Sequence, residues 1–230
     1  MHQRSALLIV LALCSAAPGP GPAGGAVTGR VLLVNNGKSV TPVDVFVYLE
    51  EIHPKHRNPK PGDGVKAQIR QEKEQFTPHA LVVPKGAEVV FPNYDLKEHN
   101  VFSPSEDMPF DIGRYNQDKK GKSKVFPVSG ELSVYCDIHP LMWAKLKIVD
   151  SAWIAPVGSD GKFVVTNVPP GKYKVTAWVH DSKEVKSDTI VVTEAGTVDA
   201  GEVHLQLGEF KLDHLRWDGT PYPCQPGYKC

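Results

Sequence analysis

One thiol, two imidazoles and one thioether occur at a spacing that could bring them to a single metal ion. Cys136, His139 and Met142 follow one another at intervals of three residues, and His99 lies 37 residues before Cys136. Two histidines and a cysteine in a plane, with a weak axial methionine, form the ligand set of a mononuclear blue-copper electron-transfer site. Because sulfur favours Cu(I) and imidazole suits both oxidation states, the set predicts an ion that exchanges single electrons.

The segments around these residues predict how they converge. Residues 131–136 alternate polar and apolar side chains, which predicts a strand that ends at Cys136. Asp137–Pro140 predicts a tight loop, since a residue before proline avoids the helical region. Residues 144–148 alternate again and predict the returning strand. His99 comes from a separate turn, so the four side chains would meet only in the folded chain, and metal binding should couple to folding.

Two other interpretations of the same residues stay open. A buried free cysteine is often a small apolar core residue, and Cys-x-x-His alone also fits half of a zinc site. Zinc sites rarely recruit methionine, and no second Cys/His pair lies near Cys136 in the sequence, so copper is the favoured cofactor. The other histidines considered as ligands are expected to be solvated or hydrogen-bonded instead: His53, His56, His79, His180, His204 and His214.

Four motifs extend the pattern beyond the ligands: FPNYD at 91–95, HNVFS at 99–103, FDIG at 110–113 and the Cys136 loop. Together they resemble the plastocyanin-like and amicyanin-like cupredoxins, in particular methylamine-utilisation-like members. The resemblance covers residues 27–150 and implies a Greek-key cupredoxin β-sandwich. It implies copper ligands at His99, Cys136, His139 and Met142, with Asn100 beside the cysteine sulfur.

The same resemblance implies a one-electron carrier with one copper ion and a transient redox protein as its partner, and not an enzyme. Copper enzymes of this kind usually connect a second copper centre through His-Cys-His or His-x-His. Here Tyr135 and Asp137 flank Cys136, and His-x-His does not occur. The chain also lacks a Gly-x-Ser-x-Gly elbow, an HxxE zinc pair and a nucleotide-binding glycine loop. The alternative is a secreted or cell-surface β-sandwich module for binding or structure, in which copper is secondary.

Residues 151–208 predict a second, smaller β-sandwich, because turn signals separate alternating apolar strands. Residues 160–178, DGKFVVTNVPPGKYKVTAW, resemble the carboxypeptidase regulatory-like (transthyretin-like) sandwich, and so do the first strands of the chain. Two arrangements fit: tandem domains, or a cupredoxin inserted between the halves of a sandwich. We expect the tandem arrangement, because Val43–Leu49 alternates like the N-terminal strand that a cupredoxin needs.

Composition and charge predict an exported all-β protein. The 230 residues include 20 Gly and 20 Pro without a helical period, and 26 basic residues balance 26 acidic ones, which leaves no electrostatic footprint for nucleic acid. Residues 1–23 predict a signal peptide, with Arg4 before an apolar stretch that is too short to span a bilayer. We therefore expect a periplasmic or extracellular protein with no integral membrane span. Lipid attachment through Cys14 is a less favoured alternative.

Residues 209–230 predict an extended tail that ends in a short cysteine loop. Cys224 and Cys230 flank a turn-rich segment, and an oxidising compartment would favour a disulfide between them. Two free thiols or an additional metal pair are the alternatives.

Overall fold

The computed structural model describes residues 24–53, 61–209, 212 and 214–223. Within these residues the regular structure is all β, which confirms the predicted fold class. No helix in this part of the chain has the length and apolar character needed to cross a membrane. The predicted signal peptide, Cys14, and the predicted pairing of Cys224 with Cys230 lie outside the described residues.

The strands fall into two sandwiches. The outer sandwich consists of β1 (Gly25–Asn35), β2 (Lys38–Val40), β3 (Phe46–Glu51), β14 (Ile154–Pro156), β15 (Lys162–Val168), β16 (Gly171–Trp178), β17 (Val185–Lys186), β18 (Ile190–Val192) and β19 (Thr197–Gln206). The inserted sandwich consists of β4 (Lys66–Gln68), β5 (Arg70–Gln71), β6 (Phe76–Thr77), β7 (Ala80–Pro84), β8 (Glu88–Asn93), β9 (His99–Ser103), β10 (Phe110–Tyr115), β11 (Asp118–Val125), β12 (Gly130–Tyr135) and β13 (Trp143–Val149).

Strand pairing gives an insertion and corrects the tandem arrangement that we expected. β1 pairs antiparallel with β15 and parallel with β19, and β3 pairs antiparallel with β14 and β16. Residues 25–51 therefore belong to one sandwich with residues 154–206. The predicted boundaries of 27–150 and 151–208 cut through that sandwich, because β4–β13 lie between its two halves.

β3 explains why the local pattern pointed to the other arrangement. Val47 and Leu49 pack in the core of the outer sandwich, whereas Phe46 and Tyr48, on the opposite face, pack in the core of the inserted one. A strand covered on both faces has the same near-continuous apolar sequence in either domain. The pattern predicted the strand but not the sheet that it joins, and Val43 lies outside the strand with 67% of its surface exposed.

The inserted sandwich brings the metal-ligand candidates to one edge. One of its sheets has the order β10-β9-β12-β13-β7. β9 and β12 are antiparallel neighbours in the register Tyr135↔Phe102, so the residues after β12 run alongside the first residues of β9. His99 begins β9, and Cys136–Met142 connects β12 to β13. We refer to Cys136–Met142 as the ligand loop.

Candidate metal centre

Three of the four predicted ligands meet around one point. The two histidine Nδ1 atoms, of His99 and His139, are 3.0 Å apart. The Sγ atom of Cys136 lies 4.0 Å from Nδ1 of His99 and 3.6 Å from Nδ1 of His139. Bonds of about 2.0 Å from a metal to nitrogen and about 2.3 Å to sulfur allow two donors on one ion to be at most about 4.3 Å apart. All three separations fall below that limit, so the donors fit a single ion.

The three donors differ in exposure. His99 and Cys136 have no solvent-exposed surface, whereas His139 is partly exposed. Burial lowers the pKa of the His139 imidazole, and the facing His99 lowers it further. His139 is therefore neutral near pH 7, with a lone pair available to a cation, and it is the candidate ligand through which the site reaches the surface.

Met142, the predicted axial ligand, lies in the same loop and is fully buried. Its backbone N–H donates to the His139 carbonyl at 3.0 Å, and its carbonyl accepts from the Cys136 N–H at 3.3 Å. These two bonds close the ligand loop on itself and keep Met142 in the apolar cluster that contains Cys136. The axial role of its sulfur stays a prediction.

Asn100, which the resemblance implied beside the cysteine sulfur, is a neighbour of Cys136 through its backbone N–H. Its side chain accepts a hydrogen bond from the Asp137 N–H and donates to Asp111 Oδ1 at 2.8 Å. Burial raises the pKa of the Cys136 thiol, while backbone N–H groups that include that of Asn100 oppose the rise by hydrogen-bonding the sulfur. Asn100 thus ties the ligand loop to β9 at the position of the sulfur.

Asp95 is a functional candidate that the sequence reasoning missed. Its Oδ2 atom lies 2.9 Å from Nε2 of His99, and its carboxylate accepts the N–H groups of Lys73 at 2.7 Å and Glu74 at 2.9 Å. Burial raises the pKa of Asp95, but these hydrogen bonds outweigh it and lower the pKa overall. An ionised Asp95 keeps the proton of His99 on Nε2, which leaves Nδ1 free for the metal.

The sequence signal for Asp95 fits a turn as well as a partner for a histidine. An Asp two residues after Asn93 has the composition of an Asx turn, and the Asp95 N–H does bond to Asn93 Oδ1 at 2.9 Å. A carboxylate four residues before a ligand histidine can also orient that ligand. Here the same residue does both.

A second missed feature is the C-terminal segment, residues 214–223, which lies on the ligand loop. Asp137 is the centre of these contacts and is only 8% exposed. Its carboxylate pairs with Arg114 at 2.6 Å and with Arg216 at 3.3 Å. Trp217 and Tyr222 belong to this segment, and their hydrogen bonds to Asp137 and Cys136 place them on the loop that carries the candidate ligands.

Comparisons with known proteins give similarities to parts of the chain. A family model described as polysaccharide lyase family 4, domain II, matches residues 152–200, which lie in the outer sandwich. The carboxypeptidase regulatory-like assignment of that region stays a prediction. No match was found among curated protein sequences.

Among solved structures, part of the chain is similar to cupredoxins and to a copper-containing nitrite reductase. A purple cupredoxin from Nitrosopumilus maritimus has a TM-score of 0.33 and 23% identity, over 36% of this chain and 99% of that one. A copper-containing nitrite reductase from Thermus scotoductus has a TM-score of 0.34 and 21% identity, over 36% of this chain and 22% of that one. Amicyanin from Paracoccus versutus has a TM-score of 0.35 and 17% identity, over 44% of this chain and 98% of that one.

Proposed function

We propose that this chain is an exported copper protein that carries one electron at a time between redox partners. The observation that supports it most directly is the convergence of one cysteine sulfur and two histidine nitrogens within 4.8 Å of one another. A thiolate with two imidazoles is a donor set that suits copper in both of its common oxidation states. When bound, the copper ion would supply the change of one electron.

The protein's part is to hold the donors still. His99 is fixed through Asp95 at its far nitrogen, and the Cys136 sulfur is surrounded by backbone N–H groups. Met142 sits in the core at the end of the ligand loop, where its thioether can serve as a weak fourth ligand. Donors held in place in this way need little rearrangement when the charge on the ion changes.

His139 is the proposed route for electrons between the site and the surface. It is partly exposed, and Leu141, two residues later, has 41% of its surface exposed. An imidazole beside exposed apolar surface permits a small and short-lived contact with a redox protein, of the kind at the low end of interface sizes.

We propose a carrier rather than an enzyme. With Met142 as the fourth ligand, the ion would have no open position for a substrate, whereas catalytic metal sites keep one. The proposed location, periplasmic or extracellular, rests on the composition of residues 1–23.

The visible absorption spectrum of the copper-loaded, oxidised protein tests the proposal. We expect one copper ion per chain and an intense thiolate charge-transfer band, which Cys136→Ser abolishes. Cys224→Ser is the matched control, because it changes a cysteine that is not one of the predicted ligands, and it should keep the band. A colourless wild-type protein, or a band that survives Cys136→Ser, would refute the proposal. A colourless protein would favour the alternative, a binding or structural module in which copper is secondary.

A further inference from the structure

The C-terminal segment has a defined shape of its own. The Arg216 N–H donates to the Thr220 carbonyl at 3.0 Å, and the Gly219 N–H donates to the Arg216 carbonyl at 2.9 Å. Asp218 Oδ1 accepts from the Thr220 N–H at 2.9 Å and closes the same turn. Arg216 lies at the start of this turn, His214 precedes it and Tyr222 follows it.

These three side chains bond to backbone carbonyls of the ligand loop. The Tyr222 hydroxyl donates to the Cys136 carbonyl at 2.6 Å. Nε of Arg216 donates to the Asp137 carbonyl at 3.1 Å. Nε2 of His214 contacts the Pro140 carbonyl at 3.2 Å. A carbonyl held by a donor fixes the orientation of its peptide plane, so these bonds restrict the backbone on either side of the Cys136 and His139 ligands.

The same segment also holds the side chain of Asp137. The Trp217 N–H donates to Asp137 Oδ1 at 3.0 Å, and Arg216 pairs with Oδ2 from the same side. A carboxylate that is largely buried needs such partners, because its desolvation is otherwise costly. Asp137 directly follows the ligand Cys136, so its anchoring also fixes the residue that carries the sulfur.

Ring contacts place the segment on the two strands that lead to the ligands. The His214 ring stacks on Tyr135 of β12 with centroids 3.7 Å apart and planes 14° apart. Trp217 meets Phe102 of β9 edge to face at 5.9 Å. Tyr222 in turn packs edge to face against His214 at 5.1 Å. Together with the hydrogen bonds, these contacts attach the segment to β9, to β12 and to the loop between β12 and β13.

We propose that residues 214–223 are a clamp that holds the ligand loop in its metal-binding conformation, with Tyr222 and Arg216 as the positioning residues. A loop held at three carbonyls and one carboxylate opens rarely, and a ligand loop that opens rarely releases its ion slowly. The part of the clamp that concerns copper rests on the proposed function. The restraint of the loop does not, since every contact above joins protein groups.

The first experiment measures the loop in the metal-free, full-length protein. A thiol reagent is added, and peptide mapping measures the rate at which it modifies Cys136. Because the sulfur is fully buried, that rate reports how often the loop opens. Tyr222→Phe removes one hydroxyl and keeps the ring. We expect modification of Cys136 about tenfold faster, as the loss of one hydrogen bond to a buried carbonyl implies.

Tyr173→Phe is the matched control. The Tyr173 hydroxyl also donates to a backbone carbonyl, that of Pro169 at 3.0 Å, but it lies in the outer sandwich. The Tyr173→Phe variant should leave the modification rate of Cys136 unchanged. Arg216→Lys is a second test that keeps the positive charge and loses the planar fork, and we expect a rise in the same direction. Equal rates for wild type, Tyr222→Phe and Arg216→Lys would overturn the clamp.

The second experiment uses the copper-loaded protein. Transfer of Cu(I) to a chelator should be about tenfold faster for Tyr222→Phe than for wild type or Tyr173→Phe. In the oxidised, copper-loaded form of Tyr222→Phe we also expect a shifted charge-transfer band, which a change in global stability alone would not produce. Unchanged transfer and an unchanged band would count against the clamp. If the wild-type protein binds no copper, the proposed function fails, while the thiol experiment still decides on the clamp.

Discussion

The two regions of this molecule are both β-sandwiches, but they bury different kinds of side chain. In the described residues, the outer sandwich buries an almost wholly apolar core, with Thr176 as its buried polar residue on a strand. The inserted sandwich and its loops bury a set of polar side chains: Gln71, Asn93, His99, Asn100, Ser103 and Asp137. Burying a polar group costs free energy unless it is hydrogen-bonded or binds a metal. His99, Asn100 and Asp137, three of these six residues, belong to the edge of the inserted sandwich that carries the candidate ligands.

The cost of that burial is offset by bonds that also position the ligands. Asn93 donates to the Lys97 carbonyl at 3.0 Å and accepts from the Asp95 N–H. Asp95 then orients His99. For Asn93 and His99, the hydrogen bonds that make burial tolerable also position a candidate metal ligand.

Trp178→Ala gives the largest expected effect and tests whether the two sandwiches are separate. The ring belongs to β16 of the outer sandwich, is fully buried in the core of the inserted one, and donates Nε1 to Glu131 at 3.0 Å. We expect a loss of about 3–5 kcal/mol from the free energy of unfolding. Urea unfolding should show the loss with probes in both sandwiches. A loss seen by the probes in only one sandwich would contradict a shared contact. Trp217→Ala is the control, and it should lower the free energy of unfolding by less, because Trp217 is 44% exposed.

Two glycines with the same backbone conformation separate the cost of backbone strain from the cost of a steric collision with a neighbouring strand. Gly121 and Gly201 both have a φ of +74°. A Cβ on Gly121 would lie 2.6 Å from the backbone nitrogen of Pro92, whereas a Cβ on Gly201 would meet nothing within 4 Å. We expect Gly201→Ala to cost about 1–2 kcal/mol from the left-handed conformation alone. In Gly121→Ala the collision should add about 1–3 kcal/mol, measured by urea unfolding. Equal losses of unfolding free energy in the two variants would show that β8 can move away from the new Cβ at position 121.

Asp95→Asn should weaken the metal centre and leave the outer sandwich unaffected. Removing the charge that orients His99 should lower copper affinity about 10–100-fold, the usual effect of losing such a partner. Competition titration with a chelator measures this. Asp160→Asn removes an exposed carboxylate from a turn of the outer sandwich and should leave copper affinity unchanged. An equal affinity for Asp95→Asn and wild type would mean that Asp95 only shapes its turn.

The smallest expected effect is a dependence on pH at the junction of the sandwiches. Burial raises the pKa of Glu184, but hydrogen bonds from Lys147 and Tyr48 outweigh it and lower the pKa below the ordinary value of 4.5. A carboxyl whose pKa is lower in the folded state adds stability above the unfolded value and loses it as pH falls through the folded one. We expect wild type to lose more stability than Glu184→Gln between pH 6 and pH 3.5, by less than about 1 kcal/mol. Parallel urea midpoints for the two proteins would contradict this.

Spacing within one loop was enough to predict the centre of the site. Cys136 and His139 are three residues apart on a connection between two alternating segments, so local geometry alone brings them close. His99 was predicted from the motif around it. The structure brings these three together, and the all-β class follows from alternation and turn residues in the same way.

The insertion and the clamp could not be predicted by the same means. The sequence left the insertion open as an alternative, but the parallel pairing of β1 with β19, more than 160 residues away, has no local signal that would have decided for it. The clamp depends on His214, Arg216 and Tyr222, residue types that occur on any surface. Their role comes from the contact of the segment with a loop that is distant in the chain, and only the folded structure provides that contact.

The antiparallel pairing of β3 with β14 places the two ends of the insertion next to each other. Ile154 lies opposite Tyr48, and the Leu49 N–H bonds to the Trp153 carbonyl at 3.0 Å, so the chain leaves and re-enters the host at adjacent points. A tight turn in place of residues 52–152 would join β3 to β14 as an ordinary hairpin. The other strands of the outer sandwich would keep their order. The cut would expose Phe46, Tyr48 and Trp178, and an engineered host would need polar replacements at these three positions.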